Sequence, residues 1–400
     1  MRQIPALRAA QCAVLVLCSF ACLPCCTAQQ SRAGADCPAF QSALANNDLA
    51  TLKTMLQRDA RLVNCRDQRL WTPLHHAAAD GQTSAAQLLL DHGADIAARN
   101  SNGATPLHDA AFHGQPATAE LLLSRGADIS SVDGFGSTPL HDAVLEDQPA
   151  LVTLLLNHGA DIEFPTPELG WRPLQSAANR DRRQIAEMLL ARGANVNSHA
   201  SLSSEETHGM TALHVAAQDG YVEMCALLLV HKAVVNAPDK DGFTALHTAA
   251  AEGYAGVARL LLENGADPNR PSNNGNTPLH TAAAYGKANV ASVLIAHGAK
   301  LNARADGGET PLHWAVQKND LSMTRLLLDE GADIEAANVR GETPLHWAAA
   351  LGYSKIAETL LAHGAYINAR ARNGCTALRA AREKNQTAVV ELLSSEGGVE

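Results

Sequence analysis

Seventeen histidines give this 400-residue chain its first chemical question, because many of them stand in one recurring setting. Residues 341–352 read GETPLHWAAALG, and the tetrad Thr343-Pro344-Leu345-His346 returns as Thr72-Pro73-Leu74-His75, Thr277-Pro278-Leu279-His280 and Thr310-Pro311-Leu312-His313. Imidazoles brought together would ligate a metal or exchange protons near neutral pH. Imidazoles spread at a fixed interval would do neither. The tetrad or a variant begins at residues 72, 105, 138, 172, 211, 244, 277, 310, 343 and 376, a step of 33 interrupted once by 34 and once by 39. Such spacing distributes His75, His108, His141, His214, His247, His280, His313 and His346 along the molecule. They are therefore expected to be structural, with no metal, cofactor or catalytic role. His92, His158, His231, His297 and His363 form a second register, and only His76, His113, His199 and His208 fall outside both.

The elements that position the tetrad follow from local chemistry. Thr343 is a good N-cap, Pro344 suits the first helical position, and Leu345 begins an apolar face. Ala348 and Ala349 keep the helix slim, and Gly352 ends it. A second helix is predicted over about 354–362, with Ile356, Leu360 and Leu361 inward at helical spacing. Gly364 caps it, and a polar turn leads to the next tetrad. One unit cannot bury its apolar face alone; stacked neighbours can.

The 33-residue period, the TPLH block and the LLL–HGAD block (88–95, 154–161, 326–333) together resemble the ankyrin repeat from about Cys37 to the C-terminus. The resemblance implies a mostly α fold, an α-solenoid of about eleven stacked helix-turn-helix units joined by β-hairpin loops, with capping repeats at both ends. It implies that each tetrad imidazole also hydrogen-bonds towards the neighbouring repeat. The segment from Phe40 lacks the tetrad but aligns Met55 and Leu56 with later core positions, as an N-terminal cap would. The last unit replaces His by Arg379 and adds Arg382, Glu383 and Lys384, which suits an outward, solvated face.

The pattern breaks most in the fourth tetrad, Arg172-Pro173-Leu174-Gln175, after a turn stiffened by Pro165 and Pro167. The 39-residue step follows, its six extra residues falling within 198–209, a polar loop read as a joint between two half-solenoids. His199 and His208 with Glu205 and Glu206 lie there without metal-site spacing. The organisation expected is a leader over 1–28, a linker over 29–36, a capping repeat over 37–70, repeats over 71–197, the inserted loop 198–209, repeats over 210–375, and a terminal cap and tail over 376–400.

The leader reading rests on Arg2 and Arg8 before an apolar run over 9–23, then Cys26-Thr27-Ala28 with small residues at the −3 and −1 positions. Cleavage is expected after Ala28, giving a protein exported to the periplasm or the exterior, with no membrane span thereafter. The alternatives are a retained membrane anchor, lipid attachment at Cys22, and an intracellular regulatory protein. Cleavage would take the net charge from −10 to −12. An acidic chain without a clustered basic patch lacks the footprint of nucleic-acid binding. Asn385-Gln386-Thr387 is a glycosylation sequon.

In the mature chain Cys37 and Cys65 bracket the capping repeat, and a disulfide between them would staple its end. Cys225 and Cys375 have no evident partner. No HExxH, GxSxG or P-loop pattern is present, and Gly134-Phe135-Gly136 has Pro139 where a dinucleotide loop needs its third glycine. A non-catalytic, monomeric interaction scaffold is therefore expected. By the resemblance, it binds a protein or peptide with its turn tips and the concave face of its first helices. Trp71, Phe135, Trp171 and Phe243 stand at the tips; Phe112, Leu145, Tyr285 and Leu351 follow the alanine pairs. Two readings of the tip aromatics stand together: contact with a partner, or packing between adjacent turns. Trp314 and Trp347 are expected to be buried.

Overall fold

The computed structural model describes residues 36–167, 169–200 and 209–400. The leader, the linker up to residue 35, and residues 201–208 of the inserted loop lie outside the described residues. With them go the readings placed on Cys22, the cleavage point, Glu205, Glu206 and His208. The described residues form 22 α-helices, and they divide into two compact units that part between Pro173 and Leu174. That division adjoins the irregular fourth tetrad, one helix pair before the 198–209 insertion.

The first unit holds four helix pairs: α1 (Cys37–Ala45) with α2 (Leu49–Arg58), α3 (Pro73–Ala79) with α4 (Thr83–Asp91), α5 (Pro106–Phe112) with α6 (Pro116–Ser124), and α7 (Pro139–Leu145) with α8 (Pro149–Asn157). First helices stack on first helices and second on second. Leu74, Leu107 and Leu140 of the tetrads, and Leu89, Leu122 and Leu155 of the second helices, are fully or almost fully buried in the stack. Each such leucine contributes about 1.5–3 kcal/mol by leaving water. The alanines Ala77, Ala78, Ala110 and Ala111 are buried too, and their small side chains let neighbouring helices approach closely.

The second unit repeats the arrangement in seven pairs. They are α9 (Pro173–Asn179), which begins at the division, with α10 (Arg183–Ala191); α11 (Ala212–Gln218) with α12 (Val222–Val230); α13 (Ala245–Glu252) with α14 (Ala255–Glu263); α15 (Pro278–Tyr285) with α16 (Ala288–Ala296); α17 (Pro311–Gln317) with α18 (Leu321–Asp329); α19 (Pro344–Leu351) with α20 (Ser354–Ala362); and α21 (Ala377–Glu383) with α22 (Thr387–Ser395). Among the described residues no helix is long and apolar enough to cross a membrane.

The hairpin loops take the form of tight turns, and no strand forms among the described residues. Asp133 N–H donates to the Ser137 carbonyl at 2.9 Å, and Ala305 N–H to the Glu309 carbonyl at 2.9 Å. Neighbouring tips share a single backbone bond, such as Gly134 N–H to Asn102 O at 2.7 Å or Val339 N–H to Gly307 O at 2.9 Å. One bond per tip is too little to propagate a ladder. Gly103 shows why the tips stay glycine-rich: its φ is +74°, and a Cβ there would come within 2.7 Å of the Gly134 nitrogen. On the other side of the stack, asparagines clasp successive units. Asn269 donates to Gly298 O at 3.0 Å and accepts from Lys300 N at 2.7 Å.

Both ends are closed differently from the middle. Cys37 and Cys65 are joined by a disulfide, with their Cα atoms 6.0 Å apart, and this ties the start of α1 to the end of the short 3₁₀ turn Ala60–Asn64. At the other end Thr376 Oγ1 donates to the Val399 carbonyl at 2.7 Å, where the threonines of earlier units meet the histidine of their own tetrad.

The second helices of most units end on a glycine in the left-handed region, as at Gly265 (φ +86°) and Gly298 (φ +85°), with open space around each missing Cβ. Lys232 occupies this position after α12, with φ +70°. A residue with a Cβ pays about 1 kcal/mol for that conformation. The variant Lys232→Gly is therefore expected to raise the urea midpoint of the protein by an amount equivalent to about 1 kcal/mol. An unchanged or lowered midpoint would show that no strain is held at Lys232.

Candidate interaction surface

The recurrent histidines resolve into one arrangement. In eight units the tetrad threonine and histidine form a reciprocal capping box at the start of the first helix. In the unit of α3 the Thr72 backbone N–H donates to His75 Nδ1 at 3.1 Å, and the Thr72 hydroxyl lies 2.7 Å from the same nitrogen. A backbone N–H can only donate, so Nδ1 is the acceptor and the ring proton sits on Nε2. That N–H donates forward to the Ala104 carbonyl at 3.1 Å, 29 residues on. The same bond runs from His108 to Ser137, His214 to Phe243, His247 to Asn276, His280 to Glu309, His313 to Glu342 and His346 to Cys375. Both ring nitrogens are thereby committed to the scaffold.

His141 is the exception. The lengthened turn displaces the expected acceptor, and its Nε2 makes no hydrogen bond, although the backbone of Trp171 and Phe164 lies nearby. In the next unit Gln175 replaces the imidazole, and its Nε2 donates to Met210 O at 2.8 Å and Ser198 O at 3.2 Å. The amide thus spans a register that a 39-residue unit has changed.

Histidines of the second register also serve the helices. His92 Nδ1 is 2.8 Å from Leu88 O, His297 Nδ1 2.8 Å from Val293 O, and His363 Nδ1 2.7 Å from Thr359 O. His158 instead pairs with Glu120 of the preceding second helix at 2.9 Å. Among the described residues no three His, Cys, Asp or Glu side chains gather closely enough to hold a metal ion.

The residues singled out for partner contact separate into several classes. Phe112 at the end of α5 and Phe135 at a turn tip are 47% and 57% exposed. Tyr285 and Leu351, at the ends of α15 and α19, are exposed as well. Trp71, Leu145 and Phe243 are half-buried. Trp71 lies against His76 with ring centroids 5.0 Å apart, and Phe243 stands edge-on to His247 at 5.1 Å, so both serve the packing between turn and helix. Trp171 is only 7% exposed and leaves the surface. Its turn closes on itself, with Thr166 N–H donating to Trp171 O at 2.8 Å and Trp171 N–H to Thr166 Oγ1 at 3.2 Å. Phe112 and Leu145 take the seventh position of their helices, whereas Tyr285 and Leu351 take the eighth. One helical step is about 100° of rotation, so these four do not form a single line. Trp314 and Trp347 are half-buried and meet edge-on at 6.2 Å; Trp347 Nε1 donates to Glu342 at 3.0 Å.

At the position directly after the tetrad histidine, sequence reasoning singled out Trp314 and Trp347, expected to be buried, but not the acids of the first unit. In the first unit this position holds His76, Asp109 and Asp142. His76 Nε2 lies 3.1 Å from Asp67 Oδ2. Asp109 is 6% exposed and its Oδ2 has no hydrogen-bond partner; burial pushes its carboxyl up to about 8. Asp142 keeps part of its surface in solvent, yet burial first, and then the charges of Asp133, Asp109 and Glu146, hold it well above the usual range. The legible signal was the doublet "PLHDA" in two successive units.

Comparison with known proteins agrees with this geometry. The chain matches the family model described as ankyrin repeats (3 copies) over residues 40–133, 126–200, 198–272, 270–338 and 330–400. It is 39% identical over 62 residues to the 2-5A-dependent ribonuclease of Mus musculus, covering 16% of this chain and 8% of that protein. It is 42% identical over 52 residues to the ankyrin repeat domain-containing protein 49 of Bos taurus, covering 13% and 22%. The chain thus spans less than a quarter of the length of these two relatives. Among solved structures it is similar to the human ASB11 ankyrin repeat domain, with a TM-score of 0.50 and 30% identity over 57% of this chain and 99% of that one.

Histidines and aspartates push stability in opposite directions with pH. Burial holds His75, His108, His141, His214, His247, His280 and His313 at about 4, and lowers His346 as well. Unfolded imidazoles protonate near 6.5, so the unfolded chain binds more protons between about pH 6.5 and 4, and stability falls as pH drops through that window. Asp109 has the reverse sign: its contribution is greatest below the unfolded value near 3.9 and is lost as pH rises through about 8. In urea melts across pH 4–9, His280→Gln, which copies Gln175, is expected to flatten the acid limb. Asp109→Asn is expected to raise the midpoint most at pH 8 and least at pH 4. Wild-type slopes in both variants would refute the assignment of these two groups.

Proposed function

This chain belongs to the ankyrin repeat family, and from that premise we propose that it is a scaffold that binds a protein partner along its first helices and turn tips. Ankyrin repeats are protein–protein interaction modules, and the family is typically non-catalytic. The reading is supported chiefly by one observation. Phe112, Phe135, Tyr285 and Leu351 remain exposed on that surface while the tetrads and second helices fill the interior. Large apolar side chains in water cost free energy that a partner recovers, and aromatic anchors commonly dominate such contacts.

The test is recovery of the partner by cross-linking in the source cells, comparing wild type with Phe112→Ala, Phe135→Ala, Tyr285→Ala and Leu351→Ala combined. The combined variant is expected to lose at least tenfold in recovered partner with its helical circular dichroism unchanged. Val230→Ala with Val234→Ala, at exposed positions at the end of the second helix α12 and just beyond it, is expected to leave recovery intact. Full recovery by the fourfold variant would refute the proposed surface.

We further propose that the protein works outside the cytoplasm. Support comes from Arg2 and Arg8, the apolar run over 9–23, and the small residues Cys26 and Ala28 at the −3 and −1 positions before Gln29. N-terminal sequencing of the protein from its source is expected to begin at Gln29. A start at Met1 or Arg2 would overturn export by cleavage.

A further inference from the structure

The register after the tetrad histidine behaves differently in the two units. In the second it carries Val215, Thr248, Thr281, Trp314 and Trp347, none of them acidic. In the first it carries His76, Asp109 and Asp142, on the first helices α3, α5 and α7, of which α3 packs on α5 and α5 on α7. His76 shows what balance looks like at this register: its ring nitrogen meets the turn residue Asp67 at 3.1 Å. Two units later the corresponding turn residue is Asp133, and the register of His76 holds Asp142, so an acid stands where His76 would balance it; the charge of Asp133 helps hold the Asp142 carboxyl up. Glu146, one helical turn beyond Asp142, adds a third acid.

Asp109 supplies an independent sign of a missing partner. It is more than nine-tenths buried, its Oδ2 receives no hydrogen bond, and it is close enough for its charge to act on Asp142. A buried carboxylate oxygen left unpaired costs free energy that a donor would restore. The neighbouring cation Arg99 favours the charged form of Asp133 but gives Asp109 Oδ2 no hydrogen bond. Arg99 is engaged by the Gly103 carbonyl at 2.7 Å and the Val132 carbonyl at 2.5 Å. Asp133 itself spends Oδ1 on the Phe135 and Ser137 backbone N–H groups, at 2.9 and 2.8 Å. The cluster lacks the close geometry of a metal site. Apolar side chains suited to the methylenes of a long cationic side chain lie close along the chain: Phe112 three residues after Asp109, Leu145 three after Asp142, and Phe135 two after Asp133.

We propose that the first unit receives the arginine or lysine side chain of a partner protein at Asp109, Asp133 and Asp142, with Phe112, Phe135 and Leu145 covering its stem. This rests on the scaffold reading above and names the chemistry of the partner. A guanidinium offers planar paired donors and an ammonium a point charge, so the two are separable by experiment.

The experiment uses the full chain and four fluorescent peptides that share one apolar background and differ at a single central residue: arginine, lysine, citrulline or norleucine. Binding is followed by anisotropy at 0.15 M salt. The arginine or lysine peptide, or both, should bind at least tenfold more tightly than the citrulline and norleucine peptides. D109N with D142N should abolish that preference. E263Q with E358Q, which removes the same charge from second helices, should leave it unchanged. If the double Asn variant fails to fold, D142N alone carries the comparison. Equal binding of arginine and citrulline peptides, no binding of any peptide, or equal loss in E263Q/E358Q would each overturn the proposal. A cell partner that survives D109N/D142N but is lost with the fourfold apolar variant would end this inference and leave the scaffold reading standing.

Discussion

A neutral imidazole with its proton on Nε2 is the constraint from which the rest of the architecture follows. Its Nδ1 closes the start of its own helix and its Nε2 closes the neighbour's turn, so one side chain fixes local geometry and stacking together. Because the second bond spans 29 residues, the combined length of two helices and a turn cannot drift. Where it does drift, the bond is the first casualty: His141 loses its acceptor and Gln175 stands in for the next imidazole. Burial makes the neutral form the stable one, which couples the stacking bond directly to acidity.

A scaffold that satisfies its interior with leucine, alanine and the Thr–His pair leaves few positions free to vary. Those positions collect the residues that local rules disfavour. Asp109 is a buried acid without a donor, Phe135 is an aromatic ring held in solvent, and Lys232 carries a side chain where glycine fits better. Such local conflicts gather at functional or strained sites in proteins generally. The charge and aromatic conflicts share the surface of first helices and turns, whereas Lys232 lies behind the second helices.

The repeat made most of the fold readable before any coordinates. Thr-Pro at a helix start, paired alanines, the LLL run and a following glycine each specify one local conformation, and their agreement specified the unit. The role of His346 was readable because its spacing ruled out convergence. Surface positions were less so. Trp171 stood with the tip aromatics, read either as partner contacts or as packing between turns; the turn rich in Pro165 and Pro167 closes on itself and Trp171 is buried. The offset between Phe112 and Tyr285 is a single residue, too small to see without helix boundaries but enough to rotate a side chain by about 100°. Asp109 was missed because an acid after the tetrad reads as a solvated residue until its burial is known.

The forward bond from each imidazole also gives the stack a polarity. A unit inside the stack offers a donor at its helix start and an acceptor at its turn. Where Arg379 replaces the histidine, the Thr376 hydroxyl has no imidazole in its own tetrad and donates to the Val399 carbonyl instead. Each unit that keeps the imidazole bond is thus an interchangeable link with one donor end and one acceptor end. A chain built this way can lengthen by duplicating whole links without any new interior chemistry, and each duplicate brings its own outward residues as raw material for a different partner.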